Sequence, residues 1–197
     1  SGRLLWEARK PTHDSWATPI VIEAAGRAQV ITLAVPFVMS FAPEDGRELW
    51  RAEVLGGEVT PSPVFAAGLV LVVNPSTELL ALRPDGAGDV TQSHVVWRAG
   101  ENVPDVTSPV SNGELVFTVT SGGVLTCFDA RAGRKLWEAA LEIEAQASPA
   151  IVGEKVFVLG LRGEAVVVEA ARAFKELARS RLADEFLASP AFADGRM

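Results

Sequence analysis

The sequence predicts an all-β protein: a β-propeller of four-stranded antiparallel blades, with about four whole blades and one split between the two ends. Two periodic markers and one strand pattern predict it. A Ser/Thr-Pro pair recurs at Thr18-Pro19, Ser62-Pro63, Ser108-Pro109, Ser148-Pro149 and Ser189-Pro190, at intervals of 44, 46, 40 and 41 residues. Tryptophan recurs at Trp6, Trp50, Trp97 and Trp137, at intervals of 44, 47 and 40. Three of these close one pentapeptide, Gly2–Trp6, Gly46–Trp50 and Gly133–Trp137. Between the markers, short alternating apolar runs are separated by turn residues of hairpin type. Tandem units of this length, each with four short strands, are propeller blades.

Taken in order, residues 1–17 hold the end of a preceding blade and a loop, because Gly2 to Trp6 repeats the closing pentapeptide. Blade 1 spans 18–61 and closes on Gly46 to Trp50. Blade 2 spans 62–107 and keeps Ala81 and Trp97, with a longer, looser turn between them. Blade 3, at 108–147, is the clearest. Its strands run over Ser108–Ser111, Leu115–Thr120, Val124–Asp129 and Lys135–Leu141, joined by Asn112-Gly113, Ser121-Gly122-Gly123 and an Ala-Gly turn. Proline stands at each strand start, where a ladder N–H is least needed. Blade 4 spans 148–188. Its segment 169–185 is rich in Ala, Leu, Glu and Arg and reads as helix by propensity. The repeat phase instead puts Leu177-Ala178 where Leu136-Trp137 stand, so a fourth strand is expected, tertiary context outweighing propensity. Residues 189–197 begin a further blade. The phase implies part of a seven- or eight-bladed ring, the alternative being a small ring closed with an incomplete blade, and open blade edges imply self-association.

Composition narrows the function. The chain has 197 residues, 18 Lys+Arg against 25 Asp+Glu, a net charge of −7 and 48% apolar residues. That profile belongs to a folded globular protein. With no Lys/Arg cluster, nucleic acid is excluded as the main partner. A single cysteine excludes a disulfide framework and a Cys-rich metal site. No P-loop, dinucleotide turn, zinc spacing or nucleophile elbow occurs, so no catalytic and no metal-binding residue is assigned. The longest apolar run, Val30–Met39, is broken by Pro36 and falls short of the roughly 20 residues of a membrane-spanning helix.

Binding candidates lie in the loop that leads into each blade. Four residues before successive Ser/Thr-Pro pairs stand Asp14, Glu58, Glu144 and Glu185, with Asp105 one place along in its unit. Equivalent loops lie side by side around a propeller axis, so these carboxylates are expected to form an acidic arc suited to a cation or a basic peptide. The first loop adds His13 and Trp16. Trp16 is the one tryptophan off the repeat phase, able to stack on a sugar or peptide. Trp6, Trp50, Trp97 and Trp137 are expected between blades, Cys127 in the core, and His94 at the surface or in a turn.

The segment from Cys127 to Trp137 resembles the PQQ-like propeller repeat, whose pattern is roughly Ala-x-Asp-x-x-Thr-Gly-x-x-x-Trp. Asp129, Gly133 and Trp137 match it, while Cys127 replaces Ala and Ala132 replaces Thr. Gly46 and Trp50 keep the pattern with Ala42 near the Asp position, and unit four has lost both Gly and Trp. The resemblance implies that the Asp ties the turn and the Trp packs between blades. The family includes quinoprotein alcohol dehydrogenases, the outer-membrane assembly lipoprotein of Gram-negative bacteria and many secreted proteins. In the enzymes, a disulfide between adjacent cysteines covers the quinone and acidic and amide side chains hold calcium. One cysteine cannot supply that disulfide, so no cofactor is expected. The resemblance implies a non-enzymatic scaffold or binding module of a bacterial cell envelope, periplasmic or secreted, taking a protein or polysaccharide through one face. The alternatives are a fragment of a PQQ-dependent dehydrogenase-like enzyme and the ligand-binding ectodomain of a signalling protein.

Overall fold

A computed structural model describes residues 2–8, 12 and 15–193. Strands β1 (Ile20–Ala24), β2 (Arg27–Ala34), β3 (Phe37–Phe41) and β4 (Glu48–Glu53) form the first sheet. The second contains β5 (Val64–Ala66), β6 (Leu69–Asn74), β7 (Glu78–Leu82) and β9 (Val95–Ala99); the intervening β8 (Gly88–Asp89) joins the first sheet. The third contains β10 (Val110–Ser111), β11 (Leu115–Val119), β12 (Val124–Asp129) and β13 (Lys135–Ala140). The fourth contains β14 (Ala150–Val152), β15 (Lys155–Leu159), β16 (Glu164–Glu169) and β17 (Glu176–Arg181). The four principal strands of each sheet form an antiparallel meander, and no helix occurs among the described residues.

The segment with helical propensity is strand. Glu176–Arg181 pairs antiparallel with β16, Ala178 opposite Val167. Helix preference is worth only tenths of a kcal/mol per residue, whereas β16 offers a whole open ladder edge to this segment. Ala178 occupies the place of the tryptophans, which face Ser40, Ala81 and Cys127 in the other blades. A β-bulge follows each of these four positions, between Ser40 and Phe41, Ala81 and Leu82, Cys127 and Phe128, and Val167 and Val168. A bulge adds local twist and re-aims the residues beside it. Its recurrence in one phase is the backbone counterpart of the sequence period.

The core lies in the seams between blades. Ile31, Leu33, Val38 and Trp50 of the first sheet meet Val70, Val72, Leu80 and Leu82 of the second. Leu71, Val73 and Leu79, on the second sheet's other side, meet Val116 and Phe128 of the third. Phe117, Leu125 and Cys127 of the third then meet Val156, Val158, Val166 and Val168 of the fourth. A blade buried on both sides needs apolar residues at every strand position, which is why Leu69–Val73 is continuous where a half-exposed strand would alternate.

The long turn of blade 2 is ordered, contrary to the loose turn expected. It carries β8, which pairs parallel to β4 at Trp50 and Arg51 and becomes a fifth strand on the outer edge of blade 1. Val90 N–H donates to Arg51 O at 2.8 Å, and Glu53 N–H donates to Thr91 Oγ1 at 2.9 Å. The turn therefore covers an edge that would otherwise present unpaired backbone groups.

Candidate functional site

A four-strand meander sends its first-to-second and third-to-fourth turns to one end. Its second-to-third turn and the crossing to the next blade lie at the other. Glu58, Asp105, Glu144 and Glu185 all stand in crossings, so they belong to one face, called here the crossover face. Backbone bonds lace this face together. Ala145 N–H donates to Ser121 O at 3.0 Å, Leu161 N–H to Glu144 O at 2.6 Å, and Phe186 N–H to Leu161 O at 3.2 Å. His13 and Asp14 lie outside the described residues.

The carboxylates differ in their employment. Glu58 and Glu185 are exposed. Asp105 is half-buried, its Oδ1 accepting the Ser121 N–H at 3.3 Å. Glu144 pairs with Arg162 at 3.5 Å, both side chains more than half exposed, an arrangement worth little in stability. Between blades 3 and 4 this face holds a hollow of about 300 Å³, lined by Gly122, Glu142, Ile143, Glu144, Arg162 and Glu164. Glu142, which the sequence did not single out, has a left-handed backbone at φ 54°. Trp16 is 61% exposed, and its backbone N–H donates to the carbonyl of Val59, the residue after Glu58, at 3.1 Å.

Both periodic markers tie one blade to the next. Thr18 N–H donates to Ser62 Oγ, Ser62 N–H to Ser108 Oγ, and Ser108 N–H to Ser148 Oγ, each at 2.9 Å. In the sequence the Ser/Thr-Pro pairs mark the period. Their hydroxyls are inter-blade acceptors, and a recurring hydroxyl at a constant phase was the available signal. The tryptophans act at the other radius. Trp6 Nε1–H donates to Pro43 O at 2.6 Å, Trp97 Nε1–H to Ala130 O at 3.2 Å and Trp137 Nε1–H to Ala171 O at 2.9 Å, each acceptor in the following blade's turn. Trp6 lies over Gly46 and Trp97 over Gly133, so closely that a Cβ on either glycine would overlap the indole.

Trp50 departs from this pattern. It is fully buried and donates to Gln29 Oε1 at 2.8 Å, while Gln29 Nε2 donates to Pro84 O at 2.9 Å in the turn of blade 2. Gln29 relays the usual contact. Ser40 Oγ also donates to Oε1, and Nε2 also donates to Ala24 O, so all four hydrogen-bonding positions of the buried amide are filled. Asp129 caps its own turn, accepting from the N–H groups of Arg131 and Ala132, and receives Arg172 of blade 4 at 2.7 Å. The Arg172 hydrogen bond, followed by that from Ala132 N–H, holds the Asp129 carboxyl below its ordinary value.

Two further arrangements bear on chemistry. His94 stands in the turn that leads into β9, its ring mostly covered, with Nε2 3.2 Å from Asp85 and Nδ1 2.8 Å from Ser93 Oγ. The amides of Ser93 and His94 both donate to Val90 O, so neither is turned toward the serine oxygen as an oxyanion donor. The trio is a clasp for the long turn. The quinone arrangement of the enzymes does not fit this chain. Its one thiol is buried against Ala171 O, and burial pushes that thiol up to about 12. Among the described residues no three His, Cys, Asp or Glu side chains are placed to share a cation.

The family model described as outer membrane protein assembly factor BamB matches residues 37–185. The chain belongs to this family. BamB of Burkholderia pseudomallei (strain K96243), an outer membrane protein assembly factor, is 32% identical over 148 residues. The match covers 70% of this chain and 38% of that BamB, so the chain spans well under half of its relative's length. The crystal structure of BamB from Moraxella catarrhalis superimposes with a TM-score of 0.72 at 14% identity, covering 95% of this chain and 57% of the other. Saccharomyces cerevisiae Sqt1 gives 0.66 at 14%, over 87% and 50%. The quinohemoprotein alcohol dehydrogenase ADHIIG of Pseudomonas putida HK5 gives 0.55 at 18%, over 68% and 22%. At these identities the structural matches establish the propeller fold alone.

Proposed function

We propose that this chain is the blade region of a non-enzymatic scaffold acting in outer-membrane protein assembly in a bacterial envelope, in a ring of seven or eight blades. It engages a protein partner through the crossover face. The observation that carries the reading is the BamB family match over 37–185, spanning the described blades from β3 to the end of β17. The crossover face supports it, since its loops, anchored by their buried residues, hold Glu58, Glu144 and Glu185 with exposed side chains. Blade boundaries at 18–61, 62–107, 108–147 and 148–188 belong to the same proposal, as does periplasmic residence. The dehydrogenase-like alternative gains nothing from the residues described above. The test is deletion of the encoding gene in its own host, with folded β-barrel protein in the outer membrane quantified by heat-modifiable electrophoretic mobility. A fall in folded barrels, restored by re-expression, is expected. Unchanged barrel levels would overturn the reading.

A further inference from the structure

The apolar and charged residues of the crossover face define the chemistry of its occupant. Trp16 (61% exposed), Val106 (39%), Leu182 (42%) and Leu187 (66%) are large apolar side chains left in water, and each stands in a blade-to-blade loop or at the mouth of one. Seven other exposed large apolar side chains lie elsewhere among the described residues, so what distinguishes this face is the unbalanced charge that accompanies its four. The imbalance is pronounced. The crossings 54–63, 100–109, 141–149 and 182–190 contain Glu58, Asp105, Glu142, Glu144, Asp184 and Glu185, Glu101 being paired with Lys135, and no Lys or Arg. The second-to-third turns on this face add one cation, Arg162, loosely paired with Glu144. The opposite turns are balanced: Arg131, Arg134, Arg172 and Lys175 stand there among their acids. The segment leading to Trp16 is balanced in sequence, Glu7 and Asp14 against Arg9 and Lys10, so the excess negative charge of this face comes from the four later crossings.

We propose that the crossover face docks a segment of a partner protein bearing both Lys or Arg and apolar side chains. This rests on the reading that the face binds a protein. Trp16 offers its ring to an aliphatic or cationic side chain, and its backbone N–H is bonded to Val59, the residue after Glu58. The hollow between blades 3 and 4, lined by Glu142, Ile143, Glu144, Arg162 and Glu164, receives a second cation, which competes with Arg162 for its loose, exposed pairing with Glu144. Carboxylates on a rim set encounter rate and selectivity, while the aromatic anchor contributes to residence.

The test uses a fluorescent twelve-residue peptide of alternating Lys and Leu, its Glu/Leu counterpart and a neutral chito-oligosaccharide, read by anisotropy. Binding of the Lys/Leu peptide alone is expected, weakening about tenfold between 50 and 300 mM salt. Reversal of the crossover face in E58K/E144K/E185K should weaken it about tenfold. Reversal of the opposite face in E44K/D45K/E114K makes the same change in net charge and should alter it less than about twofold. Trp16→Ala should weaken binding severalfold with an unchanged circular dichroism spectrum, and E58K and E144K singly serve if the triple variant misfolds. Equal loss from both triple reversals, or equal binding of the acidic peptide or the oligosaccharide, would overturn the proposal. Barrel assembly in the host is a separate readout, so failure here leaves the assembly role standing or falling on its own test.

Discussion

At the scale of single residues, the repeat's glycine and tryptophan are one device divided between two blades. Gly133 has φ +67° and lies beneath Trp97, so it meets two demands that no side chain satisfies. Gly133→Ala should cost about 2–4 kcal/mol in urea denaturation, combining left-handed strain with indole displacement. A loss under about 0.5 kcal/mol would show that the ring is free to move aside. Asp129 supports the same turn through its charge. Its carboxyl is held below the ordinary 3.8 by Arg172 and by Ala132 N–H, so it stabilises the fold above the unfolded value and loses that effect as pH falls through the lower folded value. Asp129→Asn should therefore lower stability at pH 7 and narrow its gap to the parent protein as pH falls below the ordinary carboxylate value, in acid-side melts compared with neutral ones. A constant gap across that range would contradict the ion-pair account.

At the scale of elements, the first two blades are joined differently from the others. Trp50 turns inward to Gln29, and Gln29 reaches the turn of blade 2, which adds β8 to blade 1. Arg27 Nη2 donates to Gly86 O at 2.8 Å in the same turn. Gln29→Leu leaves the Trp50 N–H and the Pro84 carbonyl without their buried partner and should cost about 2–4 kcal/mol. Tryptophan emission followed during denaturation gives the midpoint, and an unchanged midpoint would count against the relay. Blade 4 reaches strand structure by another route. The turn from Glu169 to Lys175 is a residue longer than that from Asp129 to Arg134, and Phe174 packs edge-on to Trp137 at 5.3 Å. An aromatic contact thus serves where the other turns place glycine.

At the scale of the whole molecule, the blades form a linear array in which each contacts its neighbours, so stability is a sum over seams. The Ser62, Ser108 and Ser148 hydroxyls each accept one bond in successive seams. Ser62→Ala and Ser148→Ala should each cost about 1 kcal/mol, and the double variant should equal their sum within about 0.5 kcal/mol, because the two lost bonds, from Thr18 N–H and from Ser108 N–H, lie in different seams. Strong non-additivity in a three-way denaturation comparison would mean that strain passes along the whole arc. Charge is organised at this scale as well, with the acids of the blade crossings gathered on one face by the meander itself.

The period, the strand pattern, the class of fold and the common face of Glu58, Asp105, Glu144 and Glu185 were determined by the sequence itself, because a meander of fixed phase assigns every loop to one end. Period markers do not state what they bind. That Trp97 covers Gly133 of the next blade, that Ser62 accepts from Thr18, and that Gln29 stands in for a direct Trp50 contact depend on neighbours about forty residues or more apart, or on a relay through a third side chain. The strand at Glu176–Arg181 was decided likewise, since its local propensity favoured helix and only the edge of β16 favoured strand. Local composition sets what a segment can become; the unpaired backbone and apolar surface of its neighbours decide which of those forms is most stable.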